Sequence, residues 1–230
     1  MRSPSPAHAL GTDNFGRDVL SRVAFGARVS LTVALAAVAA EIVVGTLWGT
    51  FAGLAGGQPD IWMMRAVDLL IAFPALLLAI LITGILGPSL LNIAIALTMT
   101  AWPAMARVVR SEVVGLRERD FVEAARAAGA RPERIVLRHL LPNVLHLVAA
   151  RSTLDASAII LAEAALSFVG VGVQPPTPSW GLMINEAFPY LRSEPYLLAA
   201  PAAFLSLTVI SLNVFGEAVA DAFDPHRRRR

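Results

Sequence analysis

Residues 123–142 read EAARAAGARPERIVLRHLLP. The stretch is polar and Arg-rich, and it lies between long apolar segments. Its pattern is Glu123-Ala124-Ala125, three residues, Gly129, nine residues, then His139-Leu140-Leu141-Pro142. Ala124, Ala125, Ala127 and Ala128 are strong helix formers without bulk. Gly129 permits a C-terminal turn with positive φ. Pro132 suits the first turn of a following helix, and Pro142 marks the boundary where the next apolar helix begins. The expectation is a helix–turn–helix that presents a compact knob to another protein. The competing reading is a solvated loop held by internal pairs such as Glu123 with Arg126, which leaves the Gly and Pro spacing unexplained.

The rest of the chain sets this knob in a membrane. The protein has 230 residues, of which 56% are hydrophobic, and its mean hydropathy is +0.64, well above a soluble domain. There is no cysteine, hence no disulfide framework or thiolate chemistry. All 19 basic residues are arginine. Without lysine the chain contains neither a P-loop nor a Schiff-base nucleophile. The sequence pI of 9.9 comes from arginines flanking apolar runs and from Arg227–Arg230. Such charge orients a chain in a lipid membrane, and no aromatic-interleaved basic module points to nucleic acid.

Five stretches reach the roughly 20 apolar residues that a membrane helix needs, or come close to it. They are 29–55, 66–87 (with Pro74 inside), 90–106, 143–171 and 196–216. The predicted fold is therefore all-α, a polytopic membrane helix bundle with five spans. Its parts are an N-terminal segment 1–28, a transmembrane domain 29–220 with a loop 107–142, and a basic tail 221–230. Small residues in the first span, among them Gly45, Gly49 and Gly53, allow close helix approach. The eight arginines between Arg107 and Arg138 put the loop 107–142 in the cytoplasm, together with the tail. The connection 172–195 then faces outward, and so does segment 1–28. That segment carries Arg2, Arg17, Arg22 and Arg28 without an apolar leader. Either a further upstream helix carries it across, or the first span inserts with its N-terminus outside.

Four blocks of sequence resemble the C-type permease subunit of bacterial dipeptide, oligopeptide and nickel ABC importers. The first runs from Gly11-Thr12-Asp13 through Gly16-Arg17-Asp18-Val19-Leu20-Ser21-Arg22 to Gly26-Ala27-Arg28. The second is Arg65-Ala66-Val67-Asp68 with Phe73-Pro74, and the third is the Glu-Ala-Ala loop. The fourth joins Glu163-Ala164-Ala165-Leu166-Ser167-Phe168 to Gln174-Pro175-Pro176-Thr177-Pro178-Ser179-Trp180-Gly181. The closing Asn213–Pro225 stretch fits as well. Members usually have six spans, with a helix before the Gly-Thr-Asp block. The resemblance implies a multi-pass inner-membrane permease, not an enzyme, that forms half of a translocation path. Its implied partners are a homologous permease subunit, two ATP-binding subunits that hold ATP and Mg, and an extracytoplasmic substrate-binding protein. No cofactor is expected in this chain. Glu123, Ala124, Ala125, Gly129, His139, Leu141 and Pro142 would couple it to the ATPases.

The remaining charges keep alternatives open. Asp13, Arg17, Asp18 and Arg22 form either a local ion-pair network at the entry to the first span or an outer seat for the binding protein. The family reading adds binding-protein contact at Pro176 and Trp180, and Trp180 and Tyr190 suit an interfacial aromatic belt. Glu41, in mid-span, is either a pathway residue or a helix contact. Arg151 and Asp155, four apart, share a face and can pair. With Glu163 eight further on, they are read as a charged stripe on the path or the subunit interface. Members of the subfamily more often carry apolar or amide residues at positions 151 and 155. The histidines His8, His139, His146 and His226 do not cluster, so no metal site is expected. Rival readings are a non-transporting scaffold that recruits a cytoplasmic partner through the loop, and a stand-alone channel, which would need polar stripes on several spans.

Overall fold

The computed structural model describes residues 1 and 3–223. His226, Arg227–Arg230 and most of the tail 221–230 lie outside the described residues. Those described form helices α1 (Val19–Ala55), α2 (Gly57–Ile71), α3 (Ala75–Leu86), α4 (Leu90–Arg117), α5 (Asp120–Ala127), α6 (Pro132–Ile135), α7 (Leu141–Val169), α8 (Trp180–Ala187) and α9 (Tyr196–Phe223). No strand occurs among them; two isolated bridges, Ser5 with His8 and Thr12 with Asp18, order the N-terminal segment. The all-α expectation is met.

Among the described residues, four helical stretches are long and apolar enough to cross a membrane: Val19–Ala55, Leu90–Arg117, Pro132–Val169 and Tyr196–Ala222. The expected span 66–87 is not one straight helix. Its chain bends by 87° between α2 and α3, at Ala72-Phe73-Pro74, because Pro74 has no N–H to continue the ladder. With 12 residues, α3 covers about 18 Å, short of a bilayer core. The bundle has five crossings if the bent pair counts as one. The first span also starts ten residues earlier than expected, where the Asp18 carboxylate accepts from the Ser21 N–H at 2.8 Å and caps α1.

The principal interface is α1 on α4. Gly45, Gly49 and Gly53 recur every fourth residue and form a smooth stripe on α1. Ideal Cβ atoms there would collide with Met105, with the Ala106 carbonyl and Val109, and with Val113, respectively. The pairing advances in the same direction along both helices, so α1 and α4 are parallel. Around this pair an apolar core holds Val33, Ala37, Ile93, Leu97, Ile160, Leu166 and Trp180. A second cluster lies at the opposite end, built from Val109, Val113, Val122, Ile135, Leu140 and Val144. At this same end Arg110 pairs with Asp60, Arg107 with Asp68 at 2.6 Å, and the Arg117 guanidinium donates to the Gly53 carbonyl at 3.0 Å. These contacts tie α2 and the end of α1 to α4.

Candidate functional site

The Glu-Ala-Ala loop folds as a hairpin at the end of the bundle marked by Gly53 and Arg117. α5 stops in a left-handed turn at Gly129, φ 78°. The Ala130 N–H donates to the Ala125 carbonyl at 3.0 Å and the Gly129 N–H to Arg126 at 2.9 Å, the two bonds of a Schellman cap. Pro132 opens α6 in its first turn. One face of the hairpin is packed: Val122, Ile135 and Leu140 are buried against α4 and α7. The other face is open. Glu123, Ala124, Gly129 and Pro142 are exposed, while Ala125, His139 and Leu141 are half-buried. Phe121 and Leu137 stand out on it at 43% and 66% exposure, and the Phe121 and His139 rings lie 6.3 Å apart. Sequence reading passed over both apolar side chains. A large hydrophobe beside surplus arginine in a polar loop is the signal that could have found them.

Pro142 stands in the first turn of α7, as expected. It does not end the hairpin: the helical path runs unbroken from Pro132 to Val169, through a π-turn at Val136–Leu140 in which the Leu141 N–H donates to the Val136 carbonyl. A proline at 142 cannot donate to the carbonyl four residues before it. Widening the preceding turn to i→i+5 lets the chain pass this point without a break. The second limb of the hairpin is therefore a rigid extension of a membrane helix.

A cleft opens on the bundle flank between the α2–α3 bend, α4 and α7. Its larger part, about 510 Å³, is lined by Leu70, Phe73, Pro74, Thr100, Arg107 and Arg151. It continues, sharing Ala75, Thr100 and Ala104, into a part of about 230 Å³ lined by Glu41, Asp155, Ile159 and Ala162. The Arg151 Nε donates to the Asp155 carboxylate at 2.7 Å, as the four-residue spacing predicts. Glu41 is 1% exposed and interacts electrostatically with both.

Glu163 does not join this group. Eight residues turn a helix by about 80° beyond two full turns, enough to aim Glu163 away from the cleft. It is fully buried and accepts from the Ser167 hydroxyl at 2.8 Å, with Ser30 and Ser179 beside it. The stripe expected from Arg151 through Glu163 is thus a pair on the cleft and, separately, a buried carboxyl turned toward Ser30 of α1 and Ser179 at the start of α8.

At the far end the N-terminal charges form one network. Asp13 accepts from Arg17 Nε and Arg22 Nη1, each at 2.7 Å. Arg22 reaches on to Glu186 of α8 at 2.7 Å. Asp18 caps α1 and meets His8 at 2.9 Å. Burial pushes the Asp13 carboxyl up, but the backbone N–H of Arg17, its guanidinium and the Phe15 N–H together hold it below the ordinary 3.8. The Ser21 N–H, with help from His8, likewise lowers Asp18. Asp13 is 6% exposed, so this geometry is that of an ordering network. Trp180 is no belt residue. It is 1% exposed, its indole N–H donates to the Val23 carbonyl at 3.1 Å, and the adjacent Gly181 lies against the Ala164 backbone. Pro176 is exposed.

Residues 45–229 match the family described as binding-protein-dependent transport system inner membrane component. The chain is 41% identical over 225 residues to the dipeptide transport system permease protein DppC of Alkalihalophilus pseudofirmus, covering 98% of this chain and 74% of that one. It is 39% identical to the nickel transport system permease protein NikC of Escherichia coli, covering 98% and 82%. Among solved structures, an inward-facing MetNI methionine ABC transporter aligns with a TM-score of 0.73 at 20% identity, covering 89% of this chain and 97% of that chain. At that identity the likeness concerns the fold.

Proposed function

The chain belongs to the family of binding-protein-dependent transport system inner membrane components, and from that premise we propose that it is the permease subunit of an ATP-driven importer of short peptides. In this reading residues 29–220 form half of the translocation path and a homologous permease supplies the other half. Of two ATPase subunits, which bind ATP and Mg, one docks on the hairpin within the cytoplasmic loop 107–142. An extracytoplasmic binding protein delivers the substrate to the end that carries residues 1–28. The chain itself performs no chemistry.

The observation that carries this reading is the hairpin. One of its faces is welded to α4 and α7 by Val122, Ile135 and Leu140, while Phe121, Leu137 and several arginines face away from the bundle. A knob fixed to two membrane helices, with an apolar and cationic outer face, suits force transfer from a docked motor as rigid-body motion. Energy enters as differential affinity of the ATPases for two arrangements of the bundle. Peptide is favoured as cargo by the dipeptide relative and by a cleft that presents charges of both signs, matching a zwitterion. The nickel relative supports a second reading with a metal ion as cargo.

The test is reconstitution with the partner permease, the ATPases and the binding protein. Peptide-stimulated ATP hydrolysis and peptide uptake are expected, and Gly129→Val is expected to uncouple hydrolysis from uptake while the complex still assembles. Hydrolysis indifferent to Glu123→Ala and Gly129→Val would favour a scaffold. Uptake of Ni2+ without peptide uptake would move the cargo to metal.

A further inference from the structure

We propose that Glu41 and Asp155 form a binding site inside the membrane for the ammonium group of the transported peptide, in the narrow part of the cleft. The inference deepens the peptide-importer reading and rests on it.

Three observations converge. Both carboxylates line the same cavity of about 230 Å³, whose other walls are apolar apart from Thr100 and include Ala101, Ala158 and Ala162. Water there cannot solvate a charge as bulk does. Glu41 comes from α1 and Asp155 from α7, so the site spans two crossings. The Glu41 oxygens, at 1% residue exposure, take no hydrogen bond from the rest of the bundle, and their hydrogen-bonding neighbour is the Asp155 carboxyl, which is also held by Arg151 at 2.7 Å. Two facing carboxyl groups against one guanidinium need one further positive partner, a shared proton when the cavity is empty and a cation when it is filled. A donor-rich cation, compact enough for this cavity, would complete the set, and a primary ammonium has three N–H donors. The wide end of the same cleft is lined by Arg107 and Arg151, whose guanidinium groups are paired with Asp68 and Asp155 and have N–H donors beyond those pairs. A dipeptide with its amine at Glu41 points its carboxylate toward the guanidinium end. Charge inside a membrane span is costly and is kept where it faces a cavity or a partner, and this pair faces the cavity.

The site is tested with the assembled complex of both permeases and both ATPases in lipid nanodiscs, without the binding protein and without ATP. Saturation-transfer NMR reads contact with alanyl-alanine and with its N-acetyl derivative. The free-amine peptide is expected to give a signal that weakens about tenfold or more in apparent affinity in Glu41→Gln and Asp155→Asn, the loss of one charge-assisted contact. The N-acetyl peptide is expected to give none. Ala162→Leu, which fills the cavity and leaves every charge in place, is expected to abolish the signal as well. Equal signals from the two peptides would overturn the proposal and leave the carboxylates sharing a proton only. An unchanged affinity in both carboxamide variants would also overturn it. If neither variant copurifies with the ATPases, the comparison of the two peptides on the unmodified complex decides. The importer reading fails separately: it falls if the complete system with binding protein shows no peptide-stimulated ATP hydrolysis, whatever the NMR result.

Discussion

Gly129 has φ 78° and open space where a Cβ would stand. A side chain there meets backbone strain rather than a clash. Gly129→Ala is expected to cost about 1–2 kcal/mol in the local stability of the hairpin, read as faster amide exchange at 125–132 with the bundle unaffected. Asp13 makes a second prediction at this scale. Its carboxyl is held below the ordinary value in the folded protein, so the unfolded segment binds the proton more readily. The stability it contributes is therefore fully present above its ordinary value of 3.8 and is lost as pH falls through the lower folded value. Protease resistance of residues 8–22 is expected to be flat from neutral pH to about 5 and to fall below about 4, and Asp13→Asn should flatten much of that fall. Trp180 shows how a single residue misled the sequence reading. A tryptophan near a span end looks like an interfacial anchor whether it faces the headgroups or packs inward. Only the tertiary partner, the Val23 carbonyl, decides between the two.

At the scale of elements, the hairpin was legible because its geometry is written locally. Glycine sets the left-handed turn and proline the first turn of the next helix, with no help from distant residues. The bend between α2 and α3 was not legible. A proline within an apolar run is compatible with a straight crossing, a kink or a reversal, and here packing against α4 selects an 87° bend. Glu163 was placed with Asp155 because eight residues approximate two helical turns, and the remaining 80° or so turned it to another neighbour. The glycine stripe of α1 was legible as small residues, but its partner was not. Gly49→Leu is expected to force the side chain into the Ala106 carbonyl and Val109. It should destabilise the bundle by about 3 kcal/mol or more, seen as a lower melting temperature and poor recovery in detergent. Pro142→Ala restores an N–H that can rewind the π-turn at Val136–Leu140. Removing one residue's excess turns α6 by about 100° relative to α7. Cross-linking from position 134 to the ATPase is then expected to move to a different face, with hydrolysis losing its response to peptide while the complex still assembles.

At the scale of the whole molecule, the bundle links two charged ends through one parallel pair of helices. The N-terminal network binds the start of α1 to α8, and the hairpin follows the end of α4 within three residues. Because α1 and α4 are locked along Gly45, Gly49 and Gly53, displacement of the hairpin moves both crossings together, and the cleft beside them changes shape as a unit. The side of that cleft formed by α2 and α3 carries exposed Trp62, Leu69, Phe73, Leu77 and Ile85, an apolar surface suited to lipid or to a second permease.

The length of α1 has a consequence for the surroundings of the protein. At 37 residues it measures about 55 Å, nearly twice a bilayer's oily interior of about 30 Å. The surplus can be taken up by leaning or by letting the capped turns stand in the headgroup layer, so no particular membrane depth is imposed. Activity in vesicles made from lipids with acyl chains of 14 to 20 carbons is therefore expected to vary less than twofold. A sharp optimum at one chain length would mean that the ends of this long rod are pinned to the two interfaces.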